Sequence, residues 1–228
     1  MRKKTKISII IASIAVISIA SVLSFFFLPP LFDSIGPVPK FVDHDWIDLD
    51  YIGNISKYGS TIGHPYPDEA SNVSYKHYFN PIPGDGDDNH TIQTFAPAEV
   101  RVVKIEEEQL RGQQIFLKSI EHPSISFVLF HQNLDPNITI NTILEPGDPI
   151  GYCDCRNNSY VSIAVFRGSD TISWFEVLTD RFMGNYTVRG IPSISYMIKT
   201  PTEIAQSAAA GYDFSNPDPN DWVTLTSP

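Results

Sequence analysis

The sequence predicts a mainly β fold, an antiparallel β-sandwich or barrel with helical additions at its carboxyl end, preceded by one transmembrane helix. Two observations lead to this prediction. Between residues 92 and 166, short runs rich in Val, Ile and Phe alternate with polar residues and are bounded by turn residues, as in antiparallel strands. Near the amino terminus, Ile7–Leu28 forms an uncharged run of 22 residues, which is long enough to cross a bilayer.

The chain divides into four predicted parts. Residues 1–6 form a basic cytoplasmic tail, and 7–28 form the membrane anchor. Residues 29–63 are rich in Pro, Gly and Asp and are expected to form a stalk that becomes an arm packed on the domain. Within the arm, Asp43–Tyr51 alternates apolar and acidic residues, which predicts an edge strand. Residues 64–228 form the β domain and its carboxyl-terminal extension.

The charges around the apolar run predict its orientation. Arg2, Lys3, Lys4 and Lys6 precede the run, and the next basic residue is Lys40. This asymmetry places the amino terminus in the cytoplasm and the domain outside a cell membrane that the chain crosses once. No small-x-small cleavage pattern follows the run, so we expect a retained anchor, with a cleaved signal peptide as the alternative.

The predicted exported part is acidic. Without the four amino-terminal basic residues, twelve Lys and Arg remain against 26 Asp and Glu, a formal charge of −14. Nucleic acid and anionic membrane surfaces are excluded as partners of this part, because both require clustered positive charge. About 200 residues can bury one sizeable core, so a single domain is expected.

The predicted strands follow the apolar runs of the middle of the chain. The period-2 pattern of these runs predicts that alternate apolar side chains form one core. The strands are Ile92–Phe95, Glu99–Glu106, Gln113–Ile120, Ile125–His131, Ile138–Leu144, Pro149–Tyr152 and Ser159–Phe166. The core residues are Ile115, Leu117, Phe127, Leu129, Ile150, Ile163 and Val165. An acidic stretch, 83–89, is expected to be a flexible loop.

The carboxyl-terminal extension mixes helical and strand patterns. Thr171–Met183 has apolar residues at near-helical spacing, with Gly184 as a stop. Ser193–Lys199 is predicted as a strand. Thr202–Ala210 is predicted as a helix that a capping box begins, and Trp222–Leu225 as a last strand.

Four phrases of the sequence have a recognisable order and spacing. They are KHYFNP at 76–81, TFAPAEVRVV at 94–103, FVLFHQNL at 127–134 and LEPGDPIGY at 144–152. They resemble the strand motifs of the M23 (lysostaphin-type) zinc metallopeptidases, a duplicated hybrid motif barrel. The resemblance covers roughly 90 of the 228 residues and implies a lysostaphin-like β domain.

The same resemblance implies that most of the family's zinc ligands are missing. The first zinc His falls on His77, and the Asp four residues later falls on Pro81. The His that stabilises the oxyanion falls on His131, and the final His-x-His pair falls on Ser162 and Ala164. A catalytic zinc needs about three protein ligands and an open position, and only one of the three remains.

The function predicted from this pattern is a non-catalytic cell-surface or envelope module, a pseudoenzyme without a cofactor. It would bind an envelope polymer or a surface protein in a groove lined by His77 and His131. The other interpretation of these two residues is that each is a hydrogen-bonded strand residue. The alternative function is a zinc-dependent endopeptidase with re-sited ligands drawn from His64, Asp68, His77 and His131. His64 and Asp68 also satisfy the His-x3-Asp spacing.

The two cysteines, Cys153 and Cys155, leave several states open. They could form a tight bridge, an intermolecular bridge or two thiols. As thiolates they would complete a Cys2His2 site with His77 and His131, which suits zinc or copper.

Six Asn-x-Ser/Thr sequons support an exported domain. If they are glycosylated, all six should be exposed. They lie at Asn54, Asn72, Asn89, Asn137, Asn157 and Asn185.

Overall fold

The computed structural model describes residues 36–82, 92–109, 111–155, 159–210 and 217–227. The predicted tail, the predicted anchor and the acidic stretch 83–89 lie outside these residues. No helix in the described ranges has both the length and the apolar character needed to cross a membrane.

The described strands form one antiparallel sheet. Its strands are β1 (Ile52–Ser56), β2 (His77–Pro81), β3 (Gln93–Phe95), β4 (Val100–Glu107), β5 (Gln113–Ser119), β6 (Ile125–Leu134), β7 (Ile143–Leu144), β8 (Pro149–Cys153), β9 (Val161–Arg167), β10 (Asp170–Ile172) and β11 (Trp222–Thr224). The order is β11-β1-β2-β9-β6-β5-β4-β7. β10 pairs with β9, and β8 joins β3 to β6. The prediction of a mainly antiparallel β fold is confirmed.

The core lies on one side of these strands. All seven predicted core residues are at most 1% exposed and belong to one apolar cluster. The register explains why: Leu129 on β6 pairs directly with Ile115 on β5 and Ile163 on β9, and paired residues share a face. The alternation of the sequence therefore predicts this face correctly.

Two predicted strands are shorter than expected or absent. Of Ile138–Leu144, only Ile143 and Leu144 form strand β7, because a turn precedes them in which the Thr142 amide donates to the Thr139 carbonyl. Asp43–Tyr51 is not an edge strand. Asp48 accepts from the Asp50 amide and caps a 3-10 turn at Leu49–Tyr51, as short acidic side chains do.

The region predicted as one helix over 171–183 is divided. β10 is followed by a 3-10 turn, Trp174–Glu176, and then by helix α1, Asp180–Val188. The Thr179 side chain accepts a hydrogen bond from the Phe182 amide and starts α1 there. The helix continues through Gly184, so the predicted stop is wrong.

The last elements are partly as predicted. Ser193–Lys199 is not a strand, because the Ser193 side chain accepts from the Tyr196 amide and begins a 3-10 turn, Ile194–Met197. Helix α2, Pro201–Ala210, confirms the predicted helix. Glu203 accepts from the Thr200 amide at 2.7 Å, as a capping box requires. β11 confirms the last strand and pairs with β1.

Candidate functional site

The two faces of β2 decide which residues form a site. His77 pairs with Ile163, whereas Tyr78 pairs with Ser162. Ser162 in turn pairs with Phe130 on β6. Tyr78, Ser162 and Phe130 therefore share the face opposite the main core, and His77 lies on the core face. Successive strand residues point to opposite sides of a sheet.

His77 is a buried structural residue. It is 1% exposed. Its Nδ1 lies 2.7 Å from the Ser56 carbonyl oxygen, which can only accept, so Nδ1 carries the hydrogen. Its Nε2 then accepts from the Ser173 hydroxyl at 2.8 Å. Burial lowers the pKa of His77 to about 4, and the imidazole is neutral at pH 7.

The structure does not bring His77 into a groove with His131, because the two side chains lie on different sides of the sheet. The motif places the metal pair on Ser162 and Ala164, and these two positions share their face with Tyr78 rather than with His77. An offset of one residue changes the face of every side chain in a strand. His77 therefore does not share a face with the two positions on which the resemblance places the final pair.

The side chain of Lys76 lies on the same face of the sheet as Tyr78, opposite to His77. Lys76 is fully buried, and its Nζ lies 4.1 Å from the centroid of the Phe130 ring. The Tyr66 and Tyr78 rings follow at 4.8 and 5.1 Å. Nζ also lies 2.9 Å from His64 Nε2. Burial lowers the pKa of Lys76 to about 7, and the charge of Glu108 opposes this shift.

His64 accepts a hydrogen bond from Lys76 at its Nε2 atom. Its Nδ1 lies 2.9 Å from the Pro65 carbonyl oxygen, so Nδ1 carries the hydrogen and Nε2 accepts from Lys76. Partial burial and the nearby Lys76 charge lower the pKa of His64. Asp68, its partner in the rival motif, is exposed on the surface. The spacing that suggested a ligand pair therefore does not bring the two side chains into one buried site.

His131 pairs with an acid that the sequence did not single out. Its Nδ1 lies 2.7 Å from Glu108 Oε2, a close contact outside hydrogen-bond geometry, and its backbone amide donates to the same oxygen at 2.6 Å. Burial raises the pKa of Glu108, but the contacts with His131 outweigh it and leave the pKa lowered. His131 has a φ of 60°, and the bond from the Asp154 amide to its carbonyl helps to hold this left-handed backbone.

A cavity of about 340 Å³ brings part of this region together. Tyr78 and Tyr160 supply aromatic surface, with ring centroids 5.4 Å apart. The Arg111 guanidinium donates to the carbonyls of Asp154 and Tyr160. The lining residues are Gly63, His64, Tyr78, Glu108, Gln109, Arg111, His131 and Tyr160. We name this cavity the His64–His131 pocket.

Two other cavities of similar size are less suited to a ligand. One, of about 400 Å³, is lined in part by Asp50 and Arg189, which already pair at 2.5 Å. The other, of about 440 Å³, is lined in part by Lys199 and Asp221, which also pair at 2.5 Å. At least four Asp, Glu, Lys or Arg residues line each of these cavities, against two in the His64–His131 pocket, whereas ligand sites are mostly apolar with a few polar groups.

The cysteines and the metal candidates can now be placed. Cys153 and Cys155 form a disulfide with a Cα separation of 5.6 Å. The interpretation of two thiolates in a Cys2His2 site is therefore wrong, since a disulfide sulfur is not a thiolate ligand. In the described part of the chain, no group of three or more His, Cys, Asp and Glu side chains is arranged to hold a metal ion.

The sequons differ in exposure. Asn72, Asn137 and Asn185 are exposed, and Asn54 is half-buried on β1, where it accepts a hydrogen bond from the Thr224 hydroxyl at 2.8 Å. Asn89 and Asn157 lie outside the described residues. The expectation that every sequon is exposed therefore fails at Asn54, because a strand partner covers it.

The sequence did not single out Lys76, Tyr66 or Glu108. A signal was present for Lys76, which directly precedes β2 and stands two residues from Tyr78, the spacing at which residues of an extended chain share a face. Glu108 and Tyr66 come from two loops that are distant from each other in sequence. No local sequence pattern predicts that their side chains contact β2 and β6.

No family model matches the chain, and no curated protein matches it. Several solved structures do. One is a zinc-containing peptidase from Vibrio cholerae, with 12% identity, a TM-score of 0.42 and coverage of 58% of this chain and 38% of that chain. The solution structure of lysostaphin has 16% identity, a TM-score of 0.39 and coverage of 56% and 49%. The M23 metalloprotease pseudoalterin has 13% identity, a TM-score of 0.37 and coverage of 61% and 76%.

The chain spans less than half the length of the first two of these structures. At such identities the likeness concerns the fold alone. The solved structures that match include M23 peptidases, the family whose strand motifs this sequence resembles.

Proposed function

We propose that the protein is a membrane-anchored, extracytoplasmic binding module without catalytic activity. Its domain would bind an envelope polymer or a surface protein in the His64–His131 pocket. This retains the function predicted from the sequence and moves the binding surface from His77 to His64 and the residues around it.

One observation carries the non-catalytic part of this proposal: the lone pairs that His64 and His77 would offer to a metal are already used. His64 Nε2 accepts from Lys76 at 2.9 Å, and His77 Nε2 accepts from Ser173 at 2.8 Å. A zinc ligand must offer such a lone pair to the metal. The Lys76 ammonium would also repel a divalent cation bound beside it.

The composition of the pocket supports binding. Its volume of about 340 Å³ falls within the range of about 300–1,000 Å³ that is usual for ligand sites. Tyr78 and Tyr160 offer aromatic surface, while Glu108 and Gln109 offer an acceptor and a two-sided amide. Such a set can bind a sugar ring or a peptide segment, each of which has an apolar face and polar edges.

The location rests on the amino-terminal sequence. The length of the apolar run and the four basic residues before it support a single anchor with the domain outside. Protease added to intact cells should remove the domain and leave a short membrane stub. A mature protein that begins near residue 30 would replace the anchor with a signal peptide.

The binding proposal is tested by capture. Full-length protein in detergent micelles, immobilised by a tag, is incubated with envelope polymer and envelope protein fractions. Gln109→Trp places a large side chain in the pocket and should abolish capture. Gln206→Trp makes the same change at an exposed residue that lines a different cavity and should leave capture intact. Equal capture by both variants would move the binding surface elsewhere.

The absence of catalysis is tested separately. Hydrolysis of Gly-rich and cell-wall peptides is measured with and without added zinc. We expect a background rate in both conditions, unchanged by His77→Ala or His131→Ala, since one isolated imidazole contributes far less than a metal-bound water. A zinc-dependent rate that His64→Ala or His77→Ala abolishes would establish the endopeptidase alternative instead.

A further inference from the structure

Lys76 occupies an environment that ordinary ion pairing does not explain. It is fully buried, and among the described residues no carboxylate lies within ion-pair distance of its Nζ. A buried ammonium is costly unless its surroundings compensate the lost hydration. The compensation must come from the three rings and from His64.

The three rings meet the geometry of an aromatic cage. Their centroids lie between 4.1 and 5.1 Å from Nζ, within the ~6 Å over which ring faces attract cations. The Tyr66 and Phe130 rings meet edge to face at 5.6 Å, so the walls also support each other. His64 Nε2 adds one acceptor at 2.9 Å.

The walls of this cage come from separate parts of the chain. Tyr78 belongs to β2 and Phe130 to β6, whereas His64 and Tyr66 belong to the loop 59–75 that joins β1 to β2. Two backbone hydrogen bonds hold the two ends of this loop together. The Gly59 amide donates to the Ser74 carbonyl, and the Ser74 amide donates to the Ser60 carbonyl. The Lys76 ammonium joins the upper part of the loop to the sheet.

We propose that the chain contains a binding cage for a primary ammonium group, formed by Tyr66, Tyr78, Phe130 and His64, and that Lys76 is its resident ligand. By filling the cage, Lys76 positions His64 and the loop 59–75 as one wall of the pocket. Lys76 is a positioning residue in this arrangement, because it does not itself line the pocket. When the lysine side chain is truncated, the cage accepts a free alkylammonium ion in its place.

The test uses full-length protein in detergent micelles at about pH 6, where Lys76 carries its charge, because burial lowers its pKa only to about 7. Cleavage by chymotrypsin at the two ends of the loop 59–75 reports its position, since Tyr58 and Tyr75 are potential cleavage sites, whereas the Tyr66–Pro67 bond resists the enzyme. Lys76→Ala should be cleaved there severalfold faster than wild type. Ethylammonium should restore protection with a saturable dose dependence, whereas ethanol and sodium chloride at equal concentration should not.

A matched control is Lys104→Ala. The Lys104 ammonium lies over a single ring, Phe116, at 4.9 Å, and its side chain is 53% exposed. This variant should show neither faster loop cleavage nor any effect of ethylammonium, because a single ring is not a cage.

Lys76→Met covers the case in which Lys76→Ala does not fold. It keeps the length of the side chain and removes the charge. Wild-type protection of the loop in Lys76→Met would overturn the proposal, and so would equal rescue of Lys76→Ala by ethanol or a lack of rescue by ethylammonium. None of these readouts needs the binding partner, so they stand apart from the capture experiment. A failed capture experiment alone would remove the proposed function and leave the cage in place.

Discussion

The buried His77 of β2 should make the free energy of unfolding depend on pH, and replacing it with Gln should remove this dependence. His77 is neutral in the folded protein because burial lowers its pKa from 6.5 to about 4. The unfolded chain takes up a proton at this residue as the pH falls below 6.5, whereas the folded chain does so only near pH 4. The stability that neutral His77 provides is therefore present above pH 6.5 and is lost as the pH falls towards 4.

The magnitude follows from these two pKa values. Between pH 7 and pH 5, the difference in proton binding at one such site lowers the free energy of unfolding by about 2 kcal/mol. Asp45 acts in the opposite direction, since burial raises its pKa to about 7 against the lowering effect of the Tyr186 hydroxyl. The wild-type pH profile alone therefore does not isolate His77, and a comparison with a variant is required.

The assay is urea denaturation of wild type and His77→Gln at pH 7 and pH 5. The variant should be less stable at both, because it disturbs two buried hydrogen bonds. Its deficit should be smaller at pH 5 by about 2 kcal/mol, since glutamine does not titrate. Ser173→Ala is the control: it removes the donor to Nε2 but keeps the imidazole, so it should retain the pH dependence of wild type. An equal or larger deficit of His77→Gln at pH 5 would refute the reasoning.

Three further predictions concern the core, an ion pair and the disulfide. Leu129→Ala should lower the free energy of unfolding by about 2–5 kcal/mol, because the side chain is fully buried. Val103→Ala, at a residue that is 42% exposed, should cost less than about 1 kcal/mol in the same urea titration. Lys199→Met should cost about 3–5 kcal/mol, since it leaves the Asp221 carboxylate, 2% exposed at its side chain, buried without its cation. Double replacement by Lys199→Met and Asp221→Leu should recover part of that loss. Denatured, unreduced protein should show no thiol that reacts with a thiol-specific dye, because both cysteines are in the bridge, and a reactive thiol would contradict it.

Much of the sheet could be predicted because its information is local. Along β5 the buried Ile115 and Leu117 alternate with less buried residues such as Lys118, and this alternation defines a buried face. The end of the chain was harder, because capping side chains decided its elements. Ser193 turns an apolar segment into a 3-10 helix through one hydrogen bond, and Thr179 starts α1 at a residue that periodicity does not mark.

The site was harder still, for two physical reasons. The motif identified β2, but a strand has two faces, and the choice between His77 and its neighbours depends on a register that only the pairing with β9 defines. The pocket also depends on Glu108, and the surroundings of Lys76 depend on Tyr66; these two residues come from separate loops. Long-range contacts of this kind have no periodic signature in the sequence.

The pairing of β11 with β1 has a consequence for how the protein is made. Asn54 and Thr224 stand side by side in the sheet although they are 170 residues apart in sequence. β1 therefore has only β2 as a neighbour until residue 224 has left the ribosome and, for an exported domain, the translocation channel. Until then one side of β1 offers unpaired backbone groups to other chains, and such late, long-range pairing is slow. A chaperone that shields β1 would therefore have most effect on this protein in the interval before β11 is available to pair with it.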